Sequence, residues 1–278
     1  DPKNNQRCID RYFPRNMLPI LVEATLGDKQ SRNNSTSIPQ SISNFKLANK
    51  ELTFFEYDLF CAATMRKKPL DNGWGRGRMP LIDISWYDAI EYCNWRSQQE
   101  GLQKVYTLEK RSLSSYDSLS RSWTVTYNNN ANGYRLPNAN EWEFAAGNGP
   151  NSSKYSWGSQ SPAPEKGGNV ADSSLKLKFP KWEIFPDYSD GFTFTAPVGS
   201  FAPNEFGLYD MSGNVWEWCW NKVNEAPFFK KVELISEEER VLVGCAWSSS
   251  PKDCAVSTRF SNHPASHNFS IGFRLAQN

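Results

Sequence analysis

The 278-residue chain is 38% hydrophobic and 22% charged, with a formal net charge of +1. That apolar content supports a folded core and excludes a disordered chain, while the near-neutral balance excludes a field that would gather nucleic acid or an anionic membrane. No apolar run approaches the roughly 20 residues that span a bilayer, so no transmembrane segment is expected.

The chain opens on Asp1-Pro2-Lys3-Asn4-Asn5, without Met. We expect a trimmed or mature fragment, from which any export signal or lipid anchor has been removed. Residues 1–50 read as an irregular N-terminal part with a polar loop at 29–36. Three helices follow. "LTFFEYDLFCAATM" (52–65) places Phe55, Leu59, Ala62 and Ala63 on one face. "SWYDAIEYCNWRSQQEG" (85–101) opens with a Ser85–Asp88 capping box, repeats Trp86, Ala89, Ile90 and Cys93 at helical spacing and stops at Gly101. "PNANEWEFAAG" (137–147) has Asn138 as N-cap with Glu141 three residues on. Strand-like runs are "LIDI" (81–84), "SWTVTY" (122–127), "FTFTAPV" (192–198), "NVWEWCW" (214–220) and "VLVGCAW" (241–247), separated by long polar loops such as 146–169. Helices first and short strands later, without internal repeats, predict one α+β domain over 1–278 with low regular content.

Trp216, Trp218 and Trp220 alternate as on one strand face and are read as core. Arg135 and Arg274 are expected to satisfy buried carbonyls or carboxylates, with Glu141, Glu143 and Glu217 as candidate partners. "DNGWGRGRM" (71–79) lacks the strand–turn–helix context of a phosphate loop and is read as an ordinary loop. The six cysteines have no C-x-x-C spacing; Cys61 and Cys93 are read as small buried hydrophobes, and one or two disulfides remain open. The two histidines, His263 and His267, are too few for a multi-histidine metal site, and a serine triad lacks its G-x-S-x-G elbow.

"NEFGLYDMSGNVWEWCW" (204–220), "ISWYDAIEYCNW", "GYRLPNANEWEFAAG" and the terminal "IGFRL", in that order, resemble the formylglycine-generating-enzyme, or sulfatase-modifying-factor, family over about residues 50–278. The resemblance implies an α+β, C-type-lectin-like fold of the formylglycine-generating-enzyme subclass, with small antiparallel sheets. Aerobic enzymes of that family bind copper(I) through a cysteine pair, for which soft thiolates are the right ligands. In the matching segment "GCAWSSSPKDC" (244–254), Cys254 holds the second cysteine position but Ser249 holds the first, a hard and poor copper(I) ligand. Cys245 stands four residues before it at a framework position. No catalytic residue and no enzymatic activity are expected, and no cofactor is required. Members with a histidine-bound iron take it from an additional domain that this sequence does not contain. The resemblance also allows structural calcium at two hard-oxygen sets. One combines the Asn169 side chain, the Val170 carbonyl, Asp190 and the Phe192 carbonyl; the other combines Asp210, the Gly213 and Val215 carbonyls and Glu217. The plainer reading is that Asp190 and Asp210 only cap turns.

Residues 244–275 resemble a narrower group, the variable proteins of diversity-generating retroelements, in particular the Treponema variable protein type. The pattern is Gly244-Cys245-Ala246-Trp247, a short variable run, Cys254-Ala255-Val256, Arg259, a longer variable run around Pro264, then Ile271 to Leu275. In such systems adenines of a template copy are replaced, so that AAC codons become NNC, which never encodes Lys, Glu, Gln, Met or Trp. None of those residues occurs between Asp253 and Ala276. The positions so assigned to ligand binding are Ser248, Ser249, Ser250, Asp253, Phe260, Ser261, Asn262, His263, Ala265, Ser266, His267, Asn268, Phe269 and Ser270. Their side chains are expected to pack on nothing, with Phe260 and Phe269 as apolar anchors among adaptable polar groups.

The expected function is therefore binding of a protein or cell-surface ligand through a diversified C-terminal face, by a monomer at a bacterial cell surface. An oxidase related to formylglycine-generating enzymes and a calcium-dependent sugar-binding lectin are the alternatives. The first needs Cys254 to work with another thiol; the second needs calcium with open coordination.

Overall fold

The computed structural model describes residues 17–20, 42–110, 123–149, 153–160, 163–223 and 239–278; Cys8 and the polar loop at 29–36 lie outside them. Ordered strands already occur within 1–50, correcting the expectation that this part is irregular and that helices come first. β1 (Met17–Ile20) pairs antiparallel with β2 (Phe45–Ala48). β2 also pairs with β10 (Ala276–Gln277), which continues to β5 (Tyr134–Arg135), so one four-stranded sheet joins the two ends of the chain.

All three helices form, each closed by the cap that its sequence provides. α1 (Phe54–Thr64) is boxed by Thr53 and Glu56, α2 (Trp86–Gln99) by Ser85 and Asp88, and α3 (Ala139–Ala146) by Asn138 and Glu141. On α2 the predicted stripe of Trp86, Ala89, Ile90 and Cys93 is fully buried. On α1 the expected face is wrong. Phe54, Tyr57, Phe60 and Cys61 are buried, whereas Phe55 is 43% exposed. Tyr57 and Phe60 reach the Tyr92 ring of α2 at 5.7 and 5.4 Å, and burying these large rings outweighs burying two alanines. A short helix, α4 (Ser173–Lys178), is capped by Asp172.

β3 (Tyr106–Lys110) and β4 (Trp123–Tyr127) form a two-stranded ribbon. The central sheet holds β6 (Trp216–Lys222), β7 (Arg240–Val243), β8 (Arg259–Asn262) and β9 (Ile271–Gly272) in the order β8-β7-β6-β9. Its β6–β9 pairing is parallel, the exception among otherwise antiparallel ladders of the described residues. The sheet is packed on both faces. Trp218, Leu242 and Ile271 meet Trp86 and Ile90 of α2, while Cys219, Val241 and Val243 meet Trp142 and Ala145 of α3. The buried indoles find acceptors: Trp86 Nε1 donates to Cys219 O (2.9 Å) and Trp142 Nε1 to Glu217 Oε2 (2.8 Å).

Two predicted strands do not form. Leu81, Ile82 and Ile84 are buried, but Asp83 takes a left-handed φ of 57° and breaks the extended run. In 192–198 a side chain replaces the ladder partner: Asn214 Oδ1 accepts from Ala196 N (2.9 Å) and Asn214 Nδ2 donates to Ala196 O (3.2 Å).

Candidate functional site

The C-terminal segment is fastened to the framework through its backbone. The N–H groups of Trp86, Asp83 and Trp216 donate to the carbonyls of Pro264 (3.0 Å), Asn268 (3.0 Å) and Ser270 (2.8 Å). β8 is held along its length by β7, with Leu242 opposite Phe260. None of these backbone bonds depends on which side chain the segment carries, although two side chains add to them: Ser261 Oγ donates to Glu239, and His267 Nδ1 lies 3.0 Å from Asp83 O.

Most of the assigned side chains accordingly reach the surface. Phe260 is 47% exposed, His267 and Asn268 are exposed, and Ser248, Asp253, Ser261, Asn262, His263, Ser266, Phe269 and Ser270 are partly exposed. Ser249, Ser250 and Ala265 are not: each is only 7% exposed, which corrects their placement on a free face. Ser249 Oγ accepts from Ala246 N (3.0 Å), Ser250 Oγ donates to Asp253 Oδ2 (2.7 Å), and the Ala265 methyl joins the core beneath α2. These serines close a turn that the disulfide Cys245–Cys254 also closes. Cys61, Cys93 and Cys219 are free and buried, and burial pushes each thiol upward.

The aromatic anchors do not pack on nothing either. The Phe260 ring lies 4.8 Å from Trp216, and Phe269 lies 6.1 Å from Trp74. Trp74 stacks on Phe194 at 4.3 Å and 6°, and Trp247 meets both rings edge-on at 5.2 and 5.1 Å. Beside them Trp182, 40% exposed, stacks on Phe179 at 4.7 Å. The tail thus extends an aromatic platform supplied by distant loops. Trp74, Phe179, Trp182 and Phe194 are not legible as site residues: Phe194 reads as part of a strand, the other three sit in stretches without periodicity, and for Trp74 and Trp182 the one signal is the count of 11 tryptophans. Trp216 belongs to this platform and is partly exposed, as is Trp220, which corrects the reading of all three alternating tryptophans as core; Trp218 is core, as expected.

The first calcium set fits that ion. Asn169 Oδ1 is buried without a hydrogen-bond partner, while its Nδ2 donates to Phe194 O (2.8 Å). Asp190 accepts from Val170 N (3.0 Å) and Phe192 N (2.7 Å), and burial pushes its carboxyl up to about 7. An amide oxygen and a carboxylate are hard-oxygen donors of the kind calcium takes. The second set does not fit. Glu217 already takes three contacts of 2.7 to 3.0 Å from the Arg274 guanidinium and one of 2.8 Å from Trp142, which use its acceptor sites. Asp210 Oδ2 accepts from Gly199 N (2.6 Å), and although its Oδ1 is buried without a hydrogen-bond partner among the described residues, the Arg274 guanidinium already supplies a positive charge there. Arg274 is the cation of that cluster. Arg135 pairs with Glu141 as expected, whereas Glu143, a candidate partner for Arg135 or Arg274, pairs with Arg259 instead.

In the segment that would carry copper(I), Ser249 is bound into its turn and Cys254 is spent in the disulfide, so the oxidised protein offers no thiolate pair there.

Residues 20–278 match the sulfatase-modifying factor enzyme 1-like domain. The chain is 32% identical over 241 residues to the chaperone protein LppX of Paenibacillus barcinonensis, covering 86% of this chain and 81% of that protein. It is 31% identical over 203 residues to the inactive C-alpha-formylglycine-generating enzyme 2 of Bos taurus, spanning 71% of this chain and only 50% of that one. Among solved structures, Treponema denticola variable protein 1 superposes with a TM-score of 0.61 at 26% identity, covering 94% of both chains.

Proposed function

The chain belongs to the sulfatase-modifying factor enzyme 1-like family and has the C-type-lectin-like fold of its formylglycine-generating-enzyme subclass, and from that premise we propose that it is a non-catalytic binding protein whose C-terminal surface is diversified by a retroelement. One observation carries the reading. The framework grips the tail by backbone carbonyls while Phe260, His267 and Asn268 point outward. Such a surface can change its side chains without losing the bonds that place it. The similarity to a Treponema variable protein supports the same reading. Ser249 and the closed disulfide speak against the oxidase, and the family pattern, which surrounds calcium with protein oxygens, speaks against a sugar lectin of the calcium-dependent kind.

The partner is a protein or cell-surface ligand that meets the aromatic platform together with the exposed tail residues. We place the protein, as a monomer, at a bacterial cell surface; a closed disulfide suits an oxidising compartment.

The test is genetic and physical. The neighbouring DNA is expected to hold a near-copy of the codons for 244–275, differing only at template adenines, beside a reverse-transcriptase gene; its absence overturns retroelement diversification. Randomising Phe260, His267 and Asn268 with NNC codons is expected to leave the melting temperature within about 2 °C of the parent, because surface changes cost about 0.5 kcal/mol or less. The same codons at Ser249 or Ala265 should lower it clearly. Equal losses at both groups would show that the outward face is structural.

Calcium is proposed at Asn169, Val170, Asp190 and Phe192, as a structural ion. Calcium at about a hundredfold over its dissociation constant stabilises by about 2.7 kcal/mol, so millimolar calcium is expected to raise the melting temperature by about 5 °C over a chelator. Asp190→Asn should abolish the difference. A melting temperature indifferent to calcium removes the site.

A further inference from the structure

A cavity of about 530 Å³ opens beside the far part of β6, where Trp220 stands four residues beyond Trp216, roughly 13 Å along the strand. Its wall is aromatic. Trp220 lies 5.2 Å from Tyr127 of β4, and is stiffened from behind by Tyr106 at 5.2 Å and 29°. Around that wall stand Arg135, Asn138, Glu141 and Asn221.

The site carries no net charge to offer. Arg135 is held by both oxygens of Glu141 (2.7 and 2.8 Å), and its Nε donates to Asn278 Oδ1 (2.8 Å). What remains is a set of oriented neutral donors. Asn221 Oδ1 accepts from Ala139 N (2.8 Å) and Asn138 Oδ1 from Asn140 N (2.8 Å). Those bonds fix which way each amide faces, so each presents its Nδ2 elsewhere. Among the described residues neither Nδ2 has a protein acceptor, and neither does Trp220 Nε1. An anion would bring a charge toward Glu141, while Arg135 is engaged by Glu141 and Arg240, over the Trp220 ring at 5.2 Å, donates to Trp220 O (2.8 Å); an apolar ligand would strip water from three donors and repay none.

We propose that this cavity binds a neutral polyhydroxylated ligand, a sugar. Its hydroxyl oxygens accept from Asn138, Trp220 and Asn221, and an apolar C–H face lies against the Trp220–Tyr127 wall. The volume is within the range of small-ligand sites. None of these residues belongs to the calcium set or to the diversified tail, so the site works without calcium and whatever side chains the tail carries.

The experiment is a calorimetric titration of the whole chain, in a chelator, with glucose, galactose, mannose, N-acetylglucosamine and a β1,4-linked glucose dimer. Glucuronate and inorganic phosphate serve as charged controls. At least one neutral sugar is expected to bind with a dissociation constant of about 1 mM or tighter. Asn221→Asp and Asn138→Asp keep the oxygen that caps α3 and lose the amide donor, and each is expected to weaken binding about fivefold to tenfold. Should either lower the melting temperature, Trp220→Phe keeps the ring, loses only the N–H and carries the same expectation. Phe260→Ala is expected to change nothing here. Preference for the charged controls, no binding by any neutral sugar, or binding that survives all three changes would overturn the proposal.

Discussion

Arg274→Met is expected to destabilise the protein by about 3 to 5 kcal/mol and to lower its melting temperature by about 10 °C or more. The guanidinium is wholly buried, and every part of it is engaged. Nε and Nη2 bind Glu217, Nη2 also donates to Tyr209 O (2.9 Å), and Nη1 donates to Ala48 O (3.2 Å). It ties the end of β2 to the loop before β6. It also stands amid buried carboxyls, since Glu51 and Asp210 act on it together with Glu217. Removing it strands those acids away from water, and a buried charge without its partner is the costly case. Glu217→Gln should cost less, because the amide oxygen still accepts from Arg274. The double change of both to apolar residues should recover part of the loss, giving a coupling of about 1.5 kcal/mol or more in a denaturant double-mutant cycle. A parent-like Arg274→Met protein would mean that Arg274 is not the counter-ion of this cluster.

Opening the Cys245–Cys254 disulfide, by Cys254→Ala or by reductant, is expected to cost about 2 to 3 kcal/mol, since it closes a loop of nine-residue separation. The turn inside it is otherwise held by single hydrogen bonds, among them Ala171 N to Ser249 O (3.2 Å), Trp247 N to Asn214 O (2.9 Å) and Tyr155 Oη to Pro251 O (3.1 Å). Ser249 N donates to Ala246 O (2.9 Å) and Ser250 to Asp253, while Cys245 itself sits at a left-handed φ of 58°. Gly244 takes φ 94° just before it, with Trp142 too close for any Cβ. Without the crosslink, amide exchange at 246–253 should speed up while that of α2 and β7 stays slow. A thiol reagent should then label Cys245 in the Cys254→Ala protein and leave Cys61, Cys93 and Cys219 unlabelled, because those thiols are buried with their pKa values raised. Unchanged stability would show that the turn's hydrogen bonds suffice.

What could be read in advance follows from range. A helix closes its hydrogen bonds within four residues, so Ser85 with Asp88 and Asn138 with Glu141 announced their helices in one short stretch of chain. The alternation in β6 and the arginines seeking carboxylates were legible for the same reason: each residue type states what it needs. The partner is another matter. Leu81 to Ile84 has the composition of a strand but turns at Asp83, and the run through Ala196 is paired with the side chain of Asn214 instead of a ladder.

Residue chemistry alone determined the capped helices and a C-terminal segment without structural periodicity, and the resemblance to the family marked Ser249 as a poor copper(I) ligand. Tertiary structure decided which face of α1 is buried, that Cys245 is the partner of Cys254, that β9 runs parallel to β6, and that Trp74, Phe194 and Trp247 meet Phe269 in one aromatic surface. The physical reason is that local hydrogen bonding has its partner within a turn of chain, whereas burial, crosslinking and ring packing are settled by competition among groups well beyond that turn, as far apart as Trp74 and Phe269.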